Sequence, residues 1–280
     1  MKTKISGIEI TNPNKIVYPK SKITKLDIIT YYKNVAKYML PFVKDRVLCA
    51  IRCHETINND CFFKKHPTTE KNFVNIIKID GKEYFYIKTA KDIIYQAQIG
   101  TLEFHTQANK ISSPNKPDFM VFDLDPAPNL PLKTLMSATL TIKEILNNLG
   151  LNCYIKTSGG KGYHIVVPFS KTKSYNSFKT FAQNIALLCE KVHPELFTTS
   201  ILKKDRKGKI FVDYLRNQKS ATCVCAYSLR ARPFAPVSVP ICWEHLPKIP
   251  PNHFTIKTAI TYTQKYNPWQ NIFKENQSLK

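Results

Sequence analysis

The chain has 280 residues, 43% of them hydrophobic and 11% aromatic, enough to bury a sizeable core as one large domain or about two lobes. No apolar run reaches the roughly 20 residues of a membrane span, and the opening MKTKISGIEITNPNK lacks an apolar stretch of signal-peptide length, so a cytoplasmic protein with no membrane partner is expected. Lys and Arg outnumber Asp and Glu by 42 to 20, a formal charge of +22, which draws a chain toward polyanions, nucleic acid first, unless the lysines merely keep the surface solvated.

In chain order, the first predicted element is a helix from about Lys25 to Leu40. Thr24 with Asp27 reads as a capping box, Leu26, Ile29, Tyr32, Ala36, Met39 and Leu40 share one face, and Pro41 is expected to end it. RVLCAIRC and EYFYIKT read as short strands, and a polar segment at 106–118 leads into the strand DFMVFDLDP. A second helix at about 133–149 stops at Gly150, and NCYIKTSGGKGYHIVVPF reads as strand, glycine turn, strand. A third helix at 177–192 would bury Phe178, Phe181, Ala182, Ile185, Leu188, Cys189 and Val192. GKIFVDYL is another strand, and the proline-rich tail from Pro233 ends with helical turns near 256–265. This interleaving lacks a regular βαβ rhythm, so an α/β (α+β) fold with mixed sheets is expected rather than a doubly wound one. The eight cysteines contain no CxxC pair and are expected as reduced thiols; the CHETINNDCFFKKH segment matches no zinc-finger spacing.

Three aspartates carry the chemistry. In a strand, Asp123 and Asp125 of FDLDP point to one face, where they repel each other unless a hard cation such as Mg²⁺ or Mn²⁺ accepts their oxygens. An exposed strand end or a phosphatase nucleophile remain open for this pair alone, although DLDPAP lacks the Gly-Thr of that phosphatase motif. Asp213 ends a second strand, either as a third metal ligand or as the ion-pair partner of Arg216. SGGKGYH supplies glycine amides and Lys161 for a phosphate, with His164 opening the next strand; a bare hairpin turn is the alternative.

Only six basic residues are arginine: Arg46, Arg52, Arg206, Arg216, Arg230 and Arg232. Arg230 and Arg232 in YSLRARPF alternate onto one side of an extended segment beside no acidic residue, an arrangement suited to a triphosphate or to stacking on Tyr227 and Phe234. Phe62 and Phe63, followed by two lysines, mix aromatic and basic character as base-stacking surfaces do, with one of the two expected in the core.

Taken together, TNPNKIVYPKSKITKLDIITYYKNVA, CFFKKH, FDLDP, SGGKGYH, DYLRNQKSAT and YSLRARPFAPVSVPI resemble, in order, the polymerase domain of bacterial ligase D, a member of the archaeo-eukaryotic primase superfamily. The resemblance implies a single two-lobed primase-polymerase domain over 1–280. Its N-terminal lobe would cover about 1–110, its catalytic core about 111–245 and its C-terminal tail about 246–280. It implies a nucleotidyltransferase that adds nucleotides, ribonucleotides preferred, at broken DNA ends, using two Mn²⁺ or Mg²⁺ ions and a nucleoside or deoxynucleoside triphosphate. Asp123, Asp125 and Asp213 would be the metal ligands. Ser158, Lys161, His164, Arg230 and Arg232 would hold the incoming nucleotide. Lys15 and Lys25 would grip a 5′-phosphate, and Phe62 or Phe63 would lie against template DNA. His105 matches a family histidine, but Thr106 and Gln107 stand where relatives commonly read Pro-Trp. With no room for ligase or phosphoesterase domains, a stand-alone enzyme at the nucleoid is implied, with a separate DNA ligase and a Ku-type end-binding partner. The rival readings are a non-catalytic DNA-end-binding module and a metal-dependent phosphatase or nuclease.

Overall fold

Thr24 and Asp27 close a reciprocal capping box, Thr24 Oγ1 accepting from the Asp27 amide at 3.2 Å and Asp27 Oδ2 from the Thr24 amide at 2.8 Å. The computed structural model describes residues 3–59, 61–67 and 74–279. Its first elements are β1 (Lys4–Ile5), β2 (Ile8–Glu9), β3 (Ile16–Tyr18), β4 (Ile23–Thr24), α1 (Lys25–Val43), β5 (Leu48–Cys53), β6 (Cys61–Lys64), β7 (Asn75–Ile79) and β8 (Lys82–Tyr86). Next come α2 (Ala90–Gln98), β9 (Thr101–Thr106), β10 (Phe119–Pro126), α3 (Leu132–Asn148), β11 (Tyr154–Thr157), β12 (Tyr163–Pro168) and α4 (Tyr175–Val192). The last are β13 (Phe197–Thr198), β14 (Ile210–Asp213), β15 (Cys223–Val224), β16 (Pro240–Ile241) and α5 (Ala259–Tyr266).

Two sheets organise the molecule. The larger has the order β13-β14-β10-β12-β11-β16, and the smaller β15-β9-β5-β6. Only β13–β14 among the larger sheet's pairs is parallel, so the sheet is mixed, as the sequence pattern implied. Tyr32, Phe104, Phe122, Tyr163 and Tyr227 are fully buried in the core. α1 is tied to the later chain by buried hydroxyls: Tyr31 donates to the Tyr227 carbonyl at 2.8 Å, and Tyr32 accepts from the Leu229 amide at 3.0 Å. Among the described residues, no helix is long and apolar enough to cross a membrane.

Four expectations need correction. Pro41 does not end α1, which runs to Val43. Proline removes only one amide donor there, and burial of Phe42 and Val43 in the core offsets that loss. On α4, Leu188 and Val192 are exposed, and the buried face runs through Tyr175, Phe178, Ala182, Ile185, Ala186 and Cys189. Both stripes keep the helical period, and the packing of α4 against the strands selects the one through Tyr175 and Ala186. Cys53 and Cys61 are not reduced thiols but a disulfide, because the reversal between β5 and β6 sets them directly opposite each other. The other six cysteines are free. Finally, neither Phe62 nor Phe63 is core. β6 is an edge strand; Phe62 is half-buried with its ring 5.1 Å from that of His54, and Phe63 is 68% exposed.

Candidate active site

Strand register builds the acidic wall. In the β10–β14 ladder Asp123 sits directly across from Asp213, and in the β10–β12 ladder it sits directly across from His164. Phe122, Leu124 and Val212, on the alternate positions, are fully buried. The Asn217 side chain pins this edge of β10, accepting from the Val121 amide and donating to the Val121 carbonyl, both at 2.7 Å.

Two arginines neutralise the three carboxylates. Arg216 Nε lies 3.1 Å from Asp213 Oδ2 and 3.5 Å from Asp123 Oδ2, so the ion pair open from sequence does form, and Asp123 shares it. Asp125 pairs instead with Arg206 Nη1 at 3.2 Å, whose guanidinium stacks 3.8 Å over the Phe211 ring. His164 Nε2 is 3.4 Å from Asp123 Oδ1, and its Nδ1 is 3.0 Å from the Cys223 sulfur. Burial pushes the Asp123 carboxyl up to about 6, with Arg216 opposing and Asp213 adding to the rise. Burial also raises Asp213.

The SGGKGYH turn faces this wall. Ser158 Oγ accepts from the amides of Gly160 and Gly162 at 3.1 and 3.3 Å. Gly162 is pressed so close to β10 that a Cβ there would lie 1.7 Å from the Leu124 carbonyl oxygen; only glycine lets the turn meet the strand between Asp123 and Asp125. Together these residues, with Lys161, Arg206, Arg216, Arg230 and Arg232, line a cleft of about 390 Å³. Lys161 and Arg232 are exposed at it.

Arg230 departs from expectation: it does have an acidic neighbour. Glu103, buried on β9, accepts Arg230 Nε at 2.9 Å, His105 Nε2 at 2.8 Å and the Ala231 amide at 2.7 Å. Burial alone would raise Glu103, but the His105 hydrogen bond and the Arg230 charge hold its carboxyl below the usual range. Arg230 Nη1 donates to the Ser158 carbonyl at 2.6 Å, tying the arginine segment to the turn. Glu103 was missed from sequence; the available signal was a lone acid inside the strand TLEFHT. Thr106, after His105, continues β9 and pairs with Leu48 and Cys223, so the missing Pro-Trp leaves His105 in a regular strand.

Lys15 and Lys25 lie elsewhere, in a second cleft of about 290 Å³ lined also by Thr11, His54, Gln98 and Leu102. Lys15 Nζ donates to the His54 carbonyl, and Lys25 Nζ to Thr11 Oγ1 at 3.1 Å. Burial, then the neighbouring Lys15 charge, lowers Lys25 to about 8. Phe63 stands apart from both clefts, its ring 6.3 Å from that of His105.

Among the described residues, no three His, Cys, Asp or Glu side chains converge on one metal-holding point. Arg216 lies against both Asp123 and Asp213, while Asp125 pairs with Arg206. The donor chemistry is nonetheless that of a hard divalent cation, with oxygen-only carboxylates clustered where burial disfavours the charged form of Asp123.

Residues 24–269 match the family described as LigD, primase-polymerase domain. The chain is 35% identical over 247 residues to the multifunctional non-homologous end joining protein LigD of Pseudomonas aeruginosa, covering 86% of this chain and 29% of that protein. It is 32% identical over 261 residues to the bifunctional non-homologous end joining protein LigD of Bacillus subtilis, covering 92% of this chain and 43% of that protein. It thus spans less than half the length of either relative. The polymerase domain from Mycobacterium tuberculosis ligase D, solved in complex with DNA, matches it with a TM-score of 0.88 at 26% identity, over 96% of this chain and 99% of that one.

Proposed function

The chain belongs to the LigD primase-polymerase family, and on that premise we propose that it adds nucleotides, ribonucleotides preferred, to 3′-OH ends at DNA breaks or gaps in non-homologous end joining. One observation carries the reading: Asp123 and Asp213, paired across β10 and β14, line the same cleft as Ser158, Lys161, Arg230 and Arg232. Clustered acids alone would repel DNA; acids sharing a cleft with phosphate-binding groups suit an in-line attack on a nucleoside triphosphate.

Two Mg²⁺ or Mn²⁺ ions held by Asp123, Asp125 and Asp213 would supply Lewis acidity at the α-phosphorus and lower the pKa of the primer hydroxyl. The chain's own groups do the rest. Both amides of the glycine turn point at Ser158 Oγ, so its hydroxyl proton is left to donate to a phosphate or sugar oxygen. Arg230 is fixed at Nε by Glu103 and at Nη1 by the Ser158 carbonyl, which leaves Nη2 for the triphosphate. Lys161 and Arg232, exposed at the cleft, neutralise the remaining phosphate charge. His105, held by Glu103, and His164, beside Asp123, orient the nucleotide's sugar and phosphates.

Lys15 and Lys25 would take the 5′-phosphate across a gap, and the exposed Phe63, with Phe62 beside it, would stack on the template. The solved Mycobacterium tuberculosis domain carries DNA, which supports DNA as the partner; a gapped duplex with a 5′-phosphate is the form proposed for this chain. A DNA ligase and a Ku-type end-binding protein would act with this domain at the nucleoid.

A second reading is a non-catalytic end-binding module, favoured by Arg216 and Arg206 already pairing the three carboxylates. Primer extension on a gapped, 5′-phosphorylated duplex with Mn²⁺ and nucleoside triphosphates decides between them. Wild type should extend the primer, and Asp123→Ala should bind the duplex without extending it. No extension by wild type, with Asp123→Ala binding DNA equally well, would put the binding module in its place.

A further inference from the structure

Cys223 has no part in the reaction just described, yet it touches the site. It lies on β15, in the four-stranded sheet, and its sulfur is 3.0 Å from Nδ1 of His164 on β12 of the six-stranded sheet. Both residues are buried. The other ring nitrogen, Nε2, is 3.4 Å from Asp123 Oδ1. The imidazole therefore spans a thiol on one sheet and a carboxylate on the other.

A neutral imidazole has one N–H donor and one bare nitrogen acceptor. His164 is 3% exposed, and this burial, followed by the neighbouring charges of Lys156, Arg230 and Arg216, disfavours a second proton on its ring. Lys156, across the ladder from His164, directs its ammonium to Ser238 Oγ at 2.7 Å, so it does not compete for the ring. Two arrangements of the single proton are left. With the proton on Nδ1, the ring would donate to sulfur, a weak acceptor, and would turn the Nε2 lone pair toward the Asp123 carboxylate. With the proton on Nε2, that N–H lies beside the Asp123 carboxylate, 3.4 Å from Oδ1, and Nδ1 accepts the thiol proton. Only the second arrangement gives the thiol proton an acceptor and turns no ring lone pair toward the carboxylate.

We propose that Cys223 is a positioning residue whose S–H fixes His164 as the Nε2–H tautomer, so that a ring N–H rather than a lone pair lies beside Asp123 Oδ1, while Oδ2, now 3.5 Å from Arg216 Nε, exchanges that pair for a divalent cation. The cation part rests on the metal-site reading given above; the tautomer part does not. Ligating carboxylates are commonly oriented by hydrogen bonds of this kind, and losing such a partner typically weakens metal binding by about 10–100-fold. Cys223 acts one group further out, so an effect near the lower end is expected.

The test uses the full chain, labelled with ¹⁵N, and long-range ¹H–¹⁵N spectra of the histidine rings. Wild-type His164 should show a protonated Nε2 and a bare Nδ1. Cys223→Ala should mix the tautomers and weaken Mn²⁺ binding, measured without nucleotide or DNA, by about tenfold. Cys223→Ser keeps an O–H donor and should hold both values close to wild type. Cys223→Val, close in size and without a donor, should behave as alanine does, and serves if alanine loosens the core; melting curves report whether each variant is folded. A protonated Nδ1 in wild type would overturn the proposal, as would unchanged tautomer and Mn²⁺ affinity in both alanine and valine variants. Failure of wild type to extend a primer would count against the polymerase reading alone, because neither readout here involves substrate.

Discussion

The two polar clefts meet at β9 but solve opposite electrostatic problems. Leu102 lines the lysine cleft, and the next residue, Glu103, grips Arg230 at the carboxylate cleft; successive side chains of a strand leave by opposite faces. In the carboxylate cleft, Asp123, Asp125, Asp213 and Arg230 each have an opposite charge within 3.5 Å. In the lysine cleft, Lys15 donates to a carbonyl and Lys25 to a hydroxyl, and among the described residues no carboxylate lines the cleft. The first is balanced internally, so ligands must exchange with its existing pairs, and a cation together with a triphosphate does this with little net change. The second is uncompensated and stands ready for one anion.

The strongest way to break this comparison is to unbalance the carboxylate cleft. Asp213→Asn should reduce primer extension by about a thousandfold or more, the several kcal/mol that a held metal contributes. DNA affinity should remain. The melting temperature should not fall, because asparagine removes one of two like charges opposed across β10 and β14. A drop of several degrees with extension retained would show that the Asp213–Arg216 pair serves the fold rather than the reaction.

Glu103→Gln tests the balance from the basic side. The carboxylate accepts three donors, from Arg230, His105 and the Ala231 amide, and the amide that replaces it offers one acceptor oxygen. Charged hydrogen bonds contribute about 1.5–3 kcal/mol, so the nucleotide KM should rise about 10–100-fold, with kcat changing less. A kcat loss at constant KM would mean that Glu103 acts on the chemistry rather than on Arg230.

These two sites differ in how far sequence exposes them. FDLDP, SGGKGYH and DYLRN are local patterns, and period-2 alternation is enough to put Asp123 and Asp125 on one face. The mixed sheets could also be read, because strand and helix periods differ. Glu103 could not, since its partner Arg230 lies 127 residues away and no local spacing links them. Nor could Arg206 as the partner of Asp125 or the second contact of Arg216 with Asp123, whereas the Asp213–Arg216 pair three residues apart could; the Cys53–Cys61 bond could not either, because it depends on where the chain reverses. The face of α4 was misjudged because Leu188 and Val192 are as apolar as the residues that are buried; only the neighbouring sheet decides which stripe is covered. Phe62 and Phe63 misled for the same reason, since an edge strand with little packed on it leaves aromatics outside.

Phe63 extends the comparison to a surface that belongs to neither cleft. At 68% exposed it adds little to the core, so Phe63→Ala should leave the melting temperature unchanged. Base stacking on an aromatic contributes about 1–3 kcal/mol, so affinity for a gapped duplex should fall about tenfold, in fluorescence anisotropy, for phosphorylated and unphosphorylated ends alike. A loss confined to phosphorylated ends would assign Phe63 to the lysine cleft instead.

The smallest effect is the one that isolates the lysine cleft. Lys25, lowered to about 8 by burial and by Lys15, changes charge in an accessible range. Only the ammonium form attracts a 5′-phosphate, so the preference for phosphorylated over unphosphorylated ends should weaken as pH rises. With a pKa near 8, about a quarter of the chains keep the charge at pH 8.5, against nine-tenths at pH 7, which gives a decline of about fourfold. The fold responds with the opposite sign. Between about 8 and the ordinary lysine value near 10.4, the unfolded chain binds the proton that the folded chain has released, so this group's contribution to stability rises with pH across that window. Lys25→Met should flatten both slopes while leaving extension on an unphosphorylated template intact. If the phosphate preference kept its slope in the methionine variant, the titrating group would lie outside this cleft, and the contrast between a balanced and an uncompensated site would fail on its basic side.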